Sequence, residues 1–177
     1  MSEPRALVEH LLWQFHQAWE GSRWHSLRAV LDGLTEEEAA WTPPAYAGFS
    51  WMRGSIREIL FHLGGDYLFQ INRVLGDASW AWERIEARYA GRGGNLAAAR
   101  QLCHEGCAAV RAALEGFTDP ELARRRQGAD GRRCRPVELF EMLLEHTLYH
   151  TGQIQYVRCM VAGLATAERG GRETENE

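Results

Sequence analysis

The sequence predicts an all-α protein. Three observations carry that expectation. Four long stretches repeat their apolar residues every three to four positions. Breakers separate them at Gly76-Asp77, Gly91-Arg92-Gly93-Gly94 and Asp119-Pro120. No alternating strand pattern runs for more than a few residues. Four amphipathic helices of this length bury their apolar faces most simply against one another, so the expected architecture is a bundle. The chain has 177 residues and is 45% hydrophobic, enough for one domain with a real core. Residues 1–167 are assigned to the bundle, and 168–177, rich in Gly, Arg, Glu and Asn, to a disordered polar tail.

The first helical segment runs from about Ala6 to Asp32, with Leu7, Leu11, Phe15, Trp19, Leu27, Val30 and Leu31 in its stripe and Gly21-Ser22 as a point of kinking or splitting. Thr35 followed by Glu38 is a capping-box pattern that predicts a short helical turn to Trp41, ended by Pro43-Pro44. The second helix spans about Ser55 to Leu75, on Ile56, Ile59, Leu60, Leu63, Tyr67, Ile71 and Val74. Ser79 to Tyr89 reads as a long connection with some helix. The third helix, about Asn95 to Leu114, turns Leu96, Ala99, Leu102, Cys103, Cys107, Val110 and Leu114 inward, and Asp119-Pro120 stops it. A polar loop from Glu121 to Arg133 follows. Pro136 opens the fourth helix at a favoured first-turn position, and the helix continues to about Ala165.

Composition excludes several kinds of chemistry. All 20 basic residues are arginine, so no Schiff-base lysine, P-loop lysine or Ser-Lys pair exists. The net charge of −4 argues against a sequence-independent nucleic-acid binder, although a local basic patch is compatible with it. No apolar run approaches the roughly 18–20 residues that cross a bilayer, and Met1 to Arg5 has no signal-peptide pattern. The expectation is a cytoplasmic protein with no membrane and no nucleic-acid partner. Cys103, Cys107, Cys134 and Cys159 read as reduced thiols, with no CxxC pair to suggest zinc.

The fourth helix carries the functional signal. At about 100° per residue, Leu139, Leu143, His146, His150, Ile154, Val157 and Val161 fall on one face, so two imidazoles stand where packing asks for leucine. A buried imidazole without partners costs on the order of 1–3 kcal/mol. A metal ion held by both rings removes that cost, since neutral imidazole is a common ligand of zinc, nickel and similar ions. The alternative is a pair of core histidines hydrogen-bonded to backbone or carboxylates.

A catalytic ion wants a third protein ligand and one open position. His62, on the shoulder of the second helix's stripe, is the best candidate, ahead of His10, His16, His25 and His104. Beside it, Gly64-Gly65 either leaves room for an ion or lets another helix approach. Asp66, one turn on, either orients an imidazole or is a surface charge, and Gln153, one turn past His150, stands in reach of a bound water or the backbone. His146 to His150 shares only its spacing with the zinc-protease H-E-x-x-H motif, because Thr147 occupies the place of the general base.

In family order, Ser55-Ile56-Arg57-Glu58-Ile59-Leu60-Phe61-His62, then Arg135-Pro136-Val137-Glu138-Leu139-Phe140, then His146-x-x-x-His150-Thr151-Gly152-Gln153-Ile154 resemble the DinB/YfiT-like superfamily over about residues 5–165. The resemblance implies an up-down-down-up four-helix bundle, often a homodimer. It implies a divalent ion, commonly nickel or zinc, on His62, His146 and His150. It also implies kinship with S-transferases that use small bacterial thiols. Thr147 departs from the acidic residue common after the family's first paired histidine, which weakens any transfer of acid/base roles.

Two functions are expected on this basis. One is a metal-dependent enzyme passing a low-molecular-weight thiol to an electrophile, with metal-assisted hydrolysis as a variant. Arg124, Arg125, Arg126, Arg132, Arg133 and Arg135 would then either attract an anionic substrate or form a solvated loop. The other is a non-enzymatic metal- or stress-responsive protein acting through its dimer surface. Seven tryptophans, among them Trp51, Trp80 and Trp82, would line a pocket or interface, or pack the bundle ends.

Overall fold

The computed structural model describes residues 4–44, 48 and 52–174, with side chains described through Leu164. Trp51 lies outside the described residues.

Helix α1, Ala6–His16, runs into a single π turn at Gln17–Gly21. Ser22 then turns extended and α2, Leu27–Leu31, starts afresh with Ser26 as its cap, so the first segment is split at Gly21-Ser22. Helix α3, Glu36–Ala40, is opened by the capping box of Thr35 and Glu38. Helix α4, Ile56–Leu75, is opened by the equivalent box of Ser55 and Glu58. Both boxes satisfy backbone N–H groups that a helix start otherwise leaves unpaired.

Helix α5, Trp82–Gly91, is a ten-residue helix in the stretch expected to be mostly connection. Its sequence is charged, and a single residue, Ile85, is buried, so the apolar repeat that would announce a helix is absent. Helix α6, Leu96–Glu115, is capped by Asn95. Helix α6 ends at its Gly116 cap, and Asp119-Pro120 instead begins helix α7, Asp119–Ala123. The proline sits in the first turn, where its missing N–H costs nothing, and Thr118 with Glu121 caps it. The Asp119 carboxylate also accepts from the N–H groups of Leu7 and Val8 at 3.0–3.1 Å, capping α1 across the molecule. Strands β1, Arg126–Gln127, and β2, Arg133–Cys134, form a small antiparallel ribbon within the arginine-rich loop.

Helix α8, Pro136–Thr174, extends well past Ala165. Residues 168–174, expected to be tail, continue the helix through Gly170 and Gly171, with no proline to interrupt it. Residues 175–177 lie outside the described residues.

Side-chain contacts fix the topology. Arg5 of the chain preceding α1 donates to Phe117 O beyond the end of α6, while Glu20 meets Arg111 earlier in α6, so α1 and α6 run in opposite directions. Gly64 abuts Cys103 and Tyr67 abuts Gly106, so α4 and α6 run the same way. His62 meets His150 and His146, and Arg73 meets Asp130 just before α8, so α4 and α8 are opposed. The result is an up-down-down-up bundle, with α5 in the long α4–α6 crossover.

The closest approach is between α4 and α6. A Cβ on Gly64 would lie 2.5 Å from the Cys103 backbone, and one on Gly106 would lie 2.7 Å from Gly64 O. Gly65 is covered by Ile85 and Trp82 of α5. The glycine pair beside His62 therefore serves helix packing and makes no room for an ion. Phe15, Ile56, Leu60, Leu63, Phe140 and Leu143 are among the fully buried residues of the core these helices enclose.

Candidate metal centre

The three histidines predicted from sequence come together. His62, in the second turn of α4, faces His146 and His150 on the opposed α8. Their ring centroids are 4.3–5.0 Å apart, and the rings stand at steep angles of 72–86° to one another. The same nitrogen of each ring points inward. His146 Nε2 lies 3.1 Å from His62 Nε2 and 2.7 Å from His150 Nε2. Ligand atoms of the three fall within 4.8 Å of one another, and they form the group of this kind found among the described residues. His10, His16, His25 and His104 are not part of it.

The outer nitrogens decide what the inner ones present. His150 Nδ1 donates to Gln153 Oε1 at 2.7 Å. The Gln153 amide is held in that orientation because its nitrogen donates to the Tyr149 hydroxyl at 3.0 Å. His146 Nδ1 lies 3.2 Å from Asp66 Oδ2, somewhat off the hydrogen-bond line. Asp66 is steadied by Gln70, whose amide donates to its other oxygen at 3.0 Å. With its Nδ1–H spent on Gln153, the neutral His150 ring offers a lone pair at Nε2. That lone pair faces His146 Nε2 at 2.7 Å, a spacing that calls for a proton or cation between them.

Charge reinforces the arrangement. Burial pushes His62 down to about 4, helped by the facing His146, while the Asp66 charge resists. Burial pushes His150 down to about 3, with His146 and His62 adding to it. Burial by itself would raise the Asp66 carboxyl, but its close polar contact with His146, its hydrogen bond from Gln70 and the nearby imidazoles outweigh that and hold it below the ordinary carboxylate value. At neutral pH, His62 and His150 are uncharged and Asp66 is a carboxylate. Neutral inward nitrogens backed by an anion suit a divalent cation.

The spacing fits such an ion. Three nitrogens bound tetrahedrally at about 2.0–2.1 Å would lie about 3.3 Å apart, so the rings need to part by only a few tenths of an ångström.

Sequence reading singled out the three rings, with Asp66 and Gln153 beside them, though it expected Gln153 to meet a bound water or the backbone and the residue meets His150 instead. It passed over two further residues and left a third without a definite place. Tyr149, 52% exposed, steadies Gln153. Gln70 steadies Asp66, and its i, i+4 spacing was a readable signal. Trp82 of α5 flanks His62 at 5.9 Å between centroids, with Phe61 and Phe69 around it. The sequence offered it as one of several tryptophans for a pocket, an interface or a bundle end, with no sign of its contact with His62.

Thr147 also has an explanation. Trp19 Nε1 donates to the Tyr67 hydroxyl at 3.1 Å, and Thr147 donates to Leu143 O at 2.7 Å. Thr147 has one proton, so Tyr67 donates to Thr147. A buried chain of donors runs from the π turn through α4 into α8, where an acidic side chain would have no partner for its charge.

The family model of the DinB superfamily matches residues 18–154. That match takes in more than three quarters of the chain and all three histidines. The chain belongs to the DinB superfamily. No curated protein and no solved structure matches it. DinB proteins commonly bind a metal, and this one has a histidine triad able to hold an ion. No helix among the described residues is long and apolar enough to cross a membrane.

Proposed function

We propose that this DinB protein binds one divalent ion, nickel, zinc or similar, through the Nε2 atoms of His62, His146 and His150. We further propose that it is a metal-dependent S-transferase that passes a small bacterial thiol to an electrophile. The supporting observation is the convergence of three Nε2 atoms, those of His62 and His150 lying 3.1 Å and 2.7 Å from that of His146. The ion, when bound, supplies a Lewis acid that lowers the pKa of a thiol at its open position.

The chain's own residues hold the rings ready. Asp66 and Gln153 fix the tautomers, and Tyr149 and Gln70 fix those two residues in turn. Trp82 and Tyr149 flank the triad on either side, beside His62 and His150 respectively, and give a small substrate apolar surface to lie against.

Elemental analysis tests the first part. About one divalent ion per chain is expected, and His146→Ala and His150→Ala should lose it. Full metal content in both variants overturns the ligand assignment. Incubating the metal-loaded protein with candidate thiols and an electrophile tests the second part. The expected result is turnover that a chelator abolishes.

A second reading is a non-enzymatic metal-responsive protein acting as a homodimer. It is favoured by the exposed Met142, Leu148, Tyr149 and Tyr156 along the outer face of α8. Metal binding without turnover for any thiol would select it.

A further inference from the structure

A cleft lined by none of the three histidines lies on another side of α6. It has a volume of about 940 Å³ and lies between α6 and the first part of the chain. Trp19 of the π turn, Leu27 and Leu31 of α2 and Leu60 of α4 give it apolar walls. Cys103 and Cys107, one turn apart on α6, both line it. Their i, i+4 spacing puts both thiols on one face of α6. Cys103 is buried and Cys107 half-buried.

We propose that Cys103 and Cys107 form a second metal site, one for a soft monovalent ion, copper(I), held between the two sulfurs. This goes beyond the histidine centre and does not depend on it.

Side chains four apart on a helix have Cβ atoms about 5–6 Å apart, which lets two sulfurs grip one ion from opposite sides. Thiolate sulfur selects soft ions. Zinc would want four ligands, and no third His, Cys, Asp or Glu joins these two in a cluster among the described residues. A two-ligand site therefore suits an ion content with two.

Charge favours the monovalent ion. Binding releases both thiol protons, and one copper(I) between two thiolates leaves a net charge of −1. Arg111, one turn beyond Cys107 and lining the same cleft, supplies the compensating charge. Its present partner, Glu20, is 3.5 Å away, and both side chains are nearly half exposed, so that ion pair holds it weakly.

The test uses full-length protein with Cys134→Ser and Cys159→Ser, leaving the two cleft thiols. Copper(I) is supplied anaerobically as its bicinchoninate complex. The expected result is transfer of one copper(I) per chain, with a thiolate-to-copper charge-transfer band in the near ultraviolet and protection of both thiols from alkylation. Cys107→Ser should abolish transfer and band while leaving the divalent ion content and helical circular dichroism unchanged. His146→Ala should leave copper(I) uptake intact. Undiminished uptake in Cys107→Ser, or loss of uptake in His146→Ala, overturns the proposal. Cys103→Ser gives a second reading of the same outcome. Because the Cys103 backbone packs on Gly64, Cys107→Ser is decisive if that variant does not fold.

Discussion

At the scale of single residues, the histidine centre depends on groups that never touch the ion. Asp66 sets the His146 ring and Gln153 sets the His150 ring. Such supporting partners typically change metal affinity by about 10–100-fold. Asp66→Asn is therefore expected to weaken binding by about that range, measured by competition with a chelator. Gln153→Ala should weaken it too, and Tyr149→Phe should do so less, since Tyr149 acts one step further out.

The metal-free site also makes stability depend on pH. His62 and His150 titrate at about 4 and about 3 in the folded chain, against 6.5 for an ordinary histidine. Between those values the unfolded chain binds more protons, so folding stability rises with pH across that window and falls as pH drops below 6.5. Asp66, lowered from 3.8, adds a loss in the same direction at more acid pH. Urea unfolding of the metal-free protein should show a lower midpoint at pH 5 than at pH 7. Equal midpoints would contradict the burial of neutral rings.

At the scale of elements, two glycines on different helices carry opposite expectations. On α4, a Cβ at Gly64 would press on the Cys103 backbone, which cannot move without parting two helices. Gly64→Ala should cost about 1–3 kcal/mol, in line with other overpacked sites. On α8, a Cβ at Gly152 meets nothing within 4 Å, so Gly152→Ala should gain up to about 1 kcal/mol from helix propensity. Denaturant unfolding of the two variants checks both signs.

These glycines also show where sequence reading reaches its limit. His146 and His150 were legible because they interrupt a leucine stripe whose period fixes their direction. His62 was legible from its place beside Ile59 and Leu63. Gly64 was visible as an oddity, but its cause lies in Cys103, nearly forty positions away on another helix. Helix α5 was legible only as some helix within a long connection, and the contact of Trp82 with His62 not at all, because one buried residue, Ile85, makes no period. Helix α7 was overlooked because an Asp-Pro pair reads first as a breaker, although Thr118 and Glu121 around it spell a capping box that announces a helix start.

For the whole molecule, an ion held by the triad would join α4 to α8 and stabilise the fold that displays the three rings together. An ion present at 100 times its dissociation constant adds about 2.7 kcal/mol. Chelation should thus lower the melting temperature of the native protein and leave that of His146→Ala unchanged. The outer face of α8 bears on assembly. Under the dimer reading, sedimentation should show a pair of chains that Tyr156→Glu separates, with metal content retained.

The buried line from Trp19 through Tyr67 to Thr147 acts as an alignment pin. Each hydroxyl has one proton and one assigned acceptor, so three elements can interlock in a single setting. Sliding α8 by one residue would carry Thr147 about 1.5 Å along the axis and rotate it away from Tyr67. The neighbouring His146 would swing out of the cluster with it. The chain thus keeps its imidazoles in step by a lock placed one residue away from them. Tyr67→Phe, which removes the lock and no ligand, should blur the geometry at the histidines before it unfolds anything.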